Sequence, residues 1–241
     1  MKITNPKNNQ DIAKEWDNIA IIRKNQIESK KDASFHKILL PNFLKELNKI
    51  DNLSEKKLID LGCGSGYLTN YLSLSVKDTV GIDISVKNIE LAKEKYSKNN
   101  LRFYNFAIED FQIDRYDIGV ANMVLMDTMN LETCISSISN LLNNNGNFIF
   151  SITHPSFWPK YWKYEEESWY KYSKELIIEA EFRIANEVTN YRTTHIHRPL
   201  ETYINLLSKY NFKIESISEL PNNDKDSYPR FLIVNCKKER G

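Results

Sequence analysis

Three glycines and two aspartates are the residues whose types and spacing could do chemistry in this sequence. The stretch KKLIDLGCGSGYLTNYL (56–72) holds three of the chain's seven glycines, namely Gly62, Gly64 and Gly66. Glycine permits positive φ and lets a ligand approach bare backbone. Asp60 precedes the run, and Asp83 ends the segment VGID, where a carboxylate can accept hydrogen bonds from both hydroxyls of a ribose. The pattern indicates a nucleoside-containing ligand, although a tight strand-to-helix turn would also use these glycines.

Regular alternation of strands and helices positions these residues. KLIDL, TVGID, LRFYNF, YDIGVAN and NFIFSIT read as strands, and helical patterns separate several of them. This alternation predicts a parallel sheet with helices on both faces and ligand loops at its carboxyl edge. FKIESISEL and RFLIVNC, near the end of the chain, predict an antiparallel hairpin.

The glycines of this chain have the spacing GxGxG, whereas dinucleotide-binding folds favour the spacing GxGxxG. LIDLGCGSGYLTNYL followed by VGIDIS resembles the class I S-adenosylmethionine-dependent methyltransferases, and the resemblance extends from Lys57 to about Thr153. It implies an α/β fold with a doubly wound, mostly parallel seven-stranded sheet (a Rossmann-like methyltransferase fold). We expect a single domain over 1–241, divided into an N-terminal helical cap (11–50), a cofactor-binding core (57–153), an aromatic-rich inserted lid (155–197) and a C-terminal helix with the hairpin (198–237).

The resemblance also implies the cofactor, S-adenosylmethionine, with S-adenosylhomocysteine as product. The residues implied in binding it surround the methionine, ribose and adenine portions, and the N-terminal cap contributes two candidates for its carboxylate. They are Asp60, Gly62, Gly64, Asp83, Ile84, Ala107, Ile108, Asn122, Met123, Arg23 and His36. Many relatives carry an aspartate just before the alanine, where this chain has Phe106, so Glu109 or Asp110 is an alternative contact to the adenine.

Two histidines are candidate bases for a methyl acceptor. His154 directly follows the fifth predicted strand, at the carboxyl edge, and histidine titrates near neutral pH; capping of the strand end is the alternative role. HRPLETY resembles a segment of some small-molecule methyltransferases, which implies a catalytic role for His197, with His195 as the weaker candidate. Tyr161 and Tyr164 are candidate substrate contacts, with packing of the lid as their alternative role. Arg198 is a candidate contact to an anionic group of the substrate, with capping of local structure as its alternative role.

Composition narrows the class of acceptor. The formal net charge is +1, so the chain has no overall basic excess of the kind that nucleic-acid binders show. We expect a small polar metabolite methylated on an amine or a hydroxyl. The alternatives are a tRNA or other RNA methyltransferase, a non-catalytic S-adenosylmethionine-binding module, and a nicotinamide oxidoreductase.

The remaining expectations concern metals and the protein's surroundings. No metal is expected, because no carboxylate lies at ligand spacing among the histidines. Three scattered cysteines predict a reducing, cytoplasmic location. No apolar run approaches the ~20 residues that a membrane span needs, so no membrane contact is expected. We expect a monomer or a homodimer.

Overall fold

The structure, a computed structural model, describes residues 1–184, 187–223 and 225–240. Positions 185 and 186 of the predicted lid, and Asp224 between the strands of the predicted hairpin, lie outside the described residues. The elements up to the end of the sheet's parallel part are β1 (Lys2–Ile3), α1 (Asn9–Glu28), α2 (Leu40–Leu47), β2 (Lys57–Leu61), α3 (Tyr67–Leu72), β3 (Asp78–Asp83), α4 (Val86–Lys95), β4 (Leu101–Asn105), β5 (Tyr116–Asn122), α5 (Leu131–Leu141) and β6 (Leu142–Thr153). They are followed by α6 (Trp158–Tyr161), β7 (Leu176–Ile184), β8 (Glu187–His197), α7 (Leu200–Lys209), β9 (Phe212–Leu220) and β10 (Phe231–Lys238).

The central sheet has seven strands in the order β4-β3-β2-β5-β6-β10-β9. The first five strands in this order are parallel, and β10 pairs antiparallel with both β6 and β9. This arrangement confirms the predicted fold class and the predicted C-terminal hairpin. The chain runs from β2 outward to β4 and then returns to β5 on the other side of β2. A crevice therefore opens where the carboxyl ends of β2 and β5 diverge.

Helices cover both faces of this sheet. On one face, Ile135 and Ile138 of α5 and Leu207 of α7 pack with Phe148 and Phe150 of β6. The opposite face packs against α2, α3 and the π-helical turn Phe35–Leu39. Burial on both faces explains why the parallel strands read as apolar runs in the sequence.

The predicted lid contains a structure that the sequence analysis did not predict. β7 and β8 form an antiparallel hairpin that pairs with β1 to make a second, three-stranded sheet. Ile178, Ala180 and Phe182 alternate along β7 and are buried, so a period-2 signal for a strand was present in LIIEAEFRI.

Helix α1 ties this second sheet to the core. Glu15 accepts hydrogen bonds from the backbone N–H and the hydroxyl of Thr194 on β8, at 2.8 and 2.9 Å. Asp17 accepts hydrogen bonds from the Ser85 hydroxyl and the Lys87 backbone N–H at the start of α4. The N-terminal helix and the hairpin therefore lie together over the crevice.

Two local sequence signals do not decide the structure. Serine commonly caps a helix, but the backbone of Ser34 is itself helical, and its hydroxyl contacts Asn222 at 2.6 Å instead of a helix N–H. Glycine commonly follows the end of a helix, yet α5 ends at Leu141 and Gly146 lies inside the long strand β6. In both cases pairing with distant residues overrides the local signal.

Candidate functional site

The loop between β2 and α3 places bare backbone at the crevice. Its glycines have positive φ angles of 73°, 54° and 81° at Gly62, Gly64 and Gly66. The backbone N–H groups of Gly62 and Cys63 donate to the carbonyl of Ile82 on β3, at 2.8 and 2.9 Å, and anchor the loop to the sheet. A Cβ at Gly62 would lie 2.4 Å from Cγ2 of Val124 in the segment after β5, so the glycine also admits close packing there.

Asp83 lies at the end of β3 beside this loop. Its carboxylate accepts hydrogen bonds from the backbone N–H groups of Gly64 and Ser85, at 2.8 and 2.9 Å. Burial raises the pKa of Asp83, and these hydrogen bonds oppose that rise. The carboxylate is thus held in place by backbone and still borders open space.

Asp60 lies deeper, and only 1% of its surface is exposed. It accepts a hydrogen bond from the Thr69 hydroxyl of α3 at 2.7 Å. Burial raises its pKa to about 7, with a smaller contribution from the charge of Asp83.

A cavity of about 1140 Å³ occupies the crevice. Ligand sites commonly enclose ~300–1000 Å³, so this volume has room for more than one small molecule. The wall near the glycine loop contains ten of the eleven predicted cofactor contacts, namely Arg23, Asp60, Gly62, Gly64, Asp83, Ile84, Ala107, Ile108, Asn122 and Met123.

The cavity is also lined by α1, α6 and the β7–β8 hairpin, and the part that they line is called its aromatic end. Its aromatic side chains are Trp16, Trp158, Tyr161, Trp162 and Phe182. The rings of Trp158 and Trp162 lie 5.1 Å apart, and those of Trp16 and Phe182 lie 6.4 Å apart. Asp127 and His195 line the cavity at the same end.

Comparison with known proteins decides the family. A family model described as a methyltransferase domain matches residues 52–197, more than half of the chain. The chain belongs to the methyltransferase domain family. The predicted resemblance to class I methyltransferases is confirmed, and the cofactor predicted for this chain is the methyl donor of that class.

Similar proteins include one of Haemophilus influenzae described as uncharacterized, 29% identical over 189 residues, with 72% of this chain and 73% of that protein covered. The malonyl-[acyl-carrier protein] O-methyltransferase of Acetivibrio thermocellus is 28% identical over 130 residues, and the match covers 52% of this chain and 46% of that enzyme. A Listeria monocytogenes chain, whose crystal structure is described as that of an S-adenosylmethionine dependent methyltransferase, has a TM-score of 0.67 and 26% identity, with 81% and 97% coverage of the two chains.

The cavity of this methyltransferase fits S-adenosylmethionine on two observations. Arg23 lines the cavity; its Nη2 pairs with Asp32 at 2.7 Å, and its buried Nη1 lacks a hydrogen-bond partner in the described part of the chain. That nitrogen can donate to a carboxylate. Gly64 also lines the cavity, and no described atom lies within 4 Å of the place where a Cβ would stand. Bare backbone thus borders open space beside the Asp83 carboxylate.

Two predicted residues of the core and cap lie outside the cavity. His36 Nε2 lies 2.6 Å from the carbonyl of Ile27 and therefore braces the N-terminal cap. His154 is 2% exposed, with Nε2 2.8 Å from a carboxylate oxygen of Glu219 and Nδ1 accepting a hydrogen bond from the Ser156 backbone. Its ring nitrogens are occupied, which matches the alternative role of stabilising the strand end.

Three further predicted residues, two in the lid and one directly after it, also lie away from the cavity. Tyr164 is fully buried, packs against Trp169, and its pKa is raised by burial. His197 Nε2 lies 3.0 Å from the carbonyl of Tyr172, and burial lowers its pKa. Arg198 donates to carbonyl groups of residues 125–129 and pairs with the carboxylate of Glu175. These residues stabilise the lid, and of the predicted substrate contacts only Tyr161 lines the cavity.

Two residues of the cavity wall differ from the predicted contacts: Asp127 was not among the predicted residues, and His195 was the weaker candidate of the pair with His197. Both line the cavity, at the carboxyl end of β5 and on β8 respectively. A signal for Asp127 existed, because an acidic residue in the loop after a parallel strand lies at the ligand edge of the sheet. His195 and His197 are two residues apart on one strand, so the sequence alone could not decide which one reaches the cavity.

Proposed function

We propose that this methyltransferase moves the methyl group of S-adenosylmethionine to a nitrogen or oxygen nucleophile of a small polar metabolite. The observation that carries the proposal is that one cavity is lined both by the glycine loop with Asp83 and by the aromatic residues of α1, α6 and the hairpin. Its volume suits a cofactor and an acceptor side by side. The chemistry then requires mainly that the acceptor be aligned with the methyl group.

The chain's own residues would hold the cofactor at the glycine end. Asp83 would accept hydrogen bonds from the ribose hydroxyls, and Ile84 and Ile108 would flank the adenine. Arg23 would pair with the carboxylate of the methionine portion. Asp60 lies buried beside the glycine loop, and a ligand with an ammonium group and a sulfonium would favour its ionised form over the protonated form that burial favours.

Bound S-adenosylmethionine supplies an activated methyl group, so the protein's task is to orient the acceptor and exclude water. Helix α1 and the β7–β8 hairpin cover the crevice, and hydrogen bonds from Thr194 to Glu15 join them. A covered site favours direct transfer to the acceptor over attack by water.

Two observations support a small acceptor, and a third supports oxygen as the nucleophile. The net charge of +1 gives no basic excess for RNA. The aromatic end of the cavity is lined by side chains of the covering elements, which suits a ligand enclosed on several sides. The Acetivibrio relative is described as an O-methyltransferase.

None of the helices in the described part of the chain has the length and apolar character that a bilayer crossing needs. Cytoplasmic location and a monomeric or homodimeric state stay predictions.

A turnover assay tests the proposal. The chain would be incubated with S-adenosylmethionine and a panel of small amines and phenols, and formation of S-adenosylhomocysteine and of methylated product would be followed by mass spectrometry. We expect product from at least one small acceptor and none from unmodified tRNA. Methylation of tRNA alone, or tight cofactor binding without turnover of any acceptor, would contradict the proposal.

A further inference from the structure

His195 and Asp127 form a pair in the wall of the cavity. Nδ1 of His195 lies 3.6 Å from Oδ1 of Asp127, and the two side chains are 10% and 15% exposed. Both residues line the cavity at its aromatic end. Burial raises the pKa of Asp127, and its interaction with His195 opposes that rise. The carboxylate therefore interacts with one nitrogen of the imidazole ring and leaves the other for a ligand.

Backbone contacts fix this pair. The N–H of Ile196, next to His195, donates to the carbonyl of Met126, next to Asp127, at 2.7 Å. The guanidinium of Arg198 holds three carbonyl groups of the segment 125–129 at 2.7–3.2 Å. These contacts fix β8 against the loop after β5, so that His195 and Asp127 stay side by side. The buried Arg198 therefore stabilises the position of this pair.

The free nitrogen distinguishes His195 from the chain's other three histidines. No group among the described residues hydrogen bonds to Nε2 of His195, whereas Nε2 of His36, His154 and His197 each has an oxygen partner. His195 is also the histidine of the four that lines the large cavity. A carboxylate at Nδ1 favours the tautomer with its proton there, which leaves Nε2 as a proton acceptor.

We propose that His195 is the general base of the acceptor site, oriented by Asp127, and that the acceptor is a hydroxyl group on or beside a planar ring. This inference rests on the proposed function. As the acceptor oxygen bonds to the methyl carbon, the bond between that carbon and the sulfonium sulfur would break, and S-adenosylhomocysteine would leave with an uncharged sulfur. The acceptor's O–H bond would break in the same step, its electron pair would stay on the oxygen of the neutral ether, and the proton would pass to Nε2. The imidazolium that forms is paired with Asp127 and later releases the proton to water.

Charged groups around the pair are compatible with this role. Glu15 of α1 and Arg198 at the end of β8 both act on Asp127, with opposite signs. His197 lies on the same strand, and burial keeps it neutral at neutral pH because its pKa is lowered. Asp127 is therefore the carboxylate that pairs directly with the charged form of His195.

The surrounding side chains favour a neutral planar acceptor over an ammonium. The Trp162 ring lies 5.7 Å from the ring of His195, beside Trp158. A buried ammonium is most stable beside a carboxylate that has no other cation as its partner. Among the described residues that line this end, Asp127 is paired with His195 and Glu181 with Arg183. A hydroxyl requires a base, which His195 provides.

The tautomer of His195 gives a test that needs no turnover. Side-chain ¹⁵N NMR of the intact protein, with His195→Gln to assign the signal, should show neutral His195 with its proton on Nδ1. Asp127→Asn should weaken that preference, while Asp114→Asn, an exposed aspartate paired with Lys57, should leave it unchanged. A neutral ring with its proton on Nε2 would overturn the assignment of the base.

Kinetics test the acceptor class. Catechol and 4-nitrophenol serve as hydroxyl probes, and benzylamine as the amine probe. His195→Gln should lower kcat with catechol by ~10²–10⁴-fold, with a smaller loss for the more acidic 4-nitrophenol. Binding of S-adenosylhomocysteine by the same variant should be retained. Failure of the wild type to bind that compound would refute the proposed function itself. With binding intact, methylation of no hydroxyl probe, or an unchanged kcat in His195→Gln, overturns the inference.

Discussion

At the scale of single residues, the buried carboxyl group of Asp60 lowers the free energy of unfolding at neutral pH. Its pKa is raised in the folded protein from 3.8 to about 7, chiefly by burial. Between those values the unfolded chain is ionised at this position while the folded chain keeps the proton. The contribution of Asp60 to the free energy of unfolding therefore decreases as pH rises from about 4 to 7 and is fully lost above that range.

Asp60→Asn cannot ionise and keeps an oxygen that accepts the Thr69 hydrogen bond. We expect this variant to gain stability relative to the wild type as pH rises from about 4 to 7, by a few kcal/mol, since each pKa unit corresponds to ~1.4 kcal/mol. Urea unfolding without ligand at several pH values measures the difference.

Asp114→Asn is the matched control with the opposite sign. Lys57 lowers the pKa of Asp114, so the stability that this exposed carboxylate provides is present at neutral pH and is lost on acidification. Parallel curves for the wild type and Asp60→Asn over the whole range would contradict the burial argument.

At the scale of elements, the β2–α3 loop separates two uses of glycine. A Cβ at Gly66 would lie 2.7 Å from Cζ of Phe103, whereas one at Gly64 would meet no described atom within 4 Å. Both have positive φ, which costs an alanine ~1–2 kcal/mol. Gly66→Ala adds overpacking of ~1–3 kcal/mol.

We therefore expect Gly66→Ala to lower the melting temperature clearly more than Gly64→Ala. Each kcal/mol is worth ~2–4 °C in a chain of this size. Gly64→Ala should still fold. It should bind S-adenosylhomocysteine more weakly than the wild type, because the added methyl group lies at the cavity wall. Equal melting temperatures for the two variants would show that the loop tolerates a side chain at both places.

The same element shows why the cofactor end could be predicted from sequence. The glycine run, Asp60 and Asp83 lie at the ends of adjacent parallel strands, and the order of such elements along the chain fixes their position in space. Short-range patterns were sufficient there. The β7–β8 hairpin follows a segment rich in aromatic residues, and its place depends on pairing with β1 and on contacts with α1.

At the scale of the whole molecule, the acceptor end is assembled from distant parts of the chain. Asp127 and His195 are 68 positions apart, and Trp16 comes from the first helix. The residue types in this region predicted which side chains could do chemistry, but they did not predict which side chains lie next to each other in space. Tyr164, His197 and Arg198 therefore had plausible chemistry and turned out to lie in the packed interior, since nothing local distinguishes a lid's core from its inner surface.

The central claim is that this cavity binds S-adenosylmethionine through Asp83. Calorimetric titration with S-adenosylhomocysteine and with NAD tests it, using the wild type, Asp83→Asn and Asp78→Asn. Asp78 begins the strand that Asp83 ends, and it pairs with Arg102 at 2.6 Å, far from the glycine loop.

We expect the wild type and Asp78→Asn to bind S-adenosylhomocysteine equally and not to bind NAD. Asp83→Asn should bind ~10–100-fold more weakly, because hydrogen bonds to a charged group contribute ~1.5–3 kcal/mol. Binding of NAD alone, or an Asp83→Asn variant that binds S-adenosylhomocysteine as tightly as the wild type, would contradict the account.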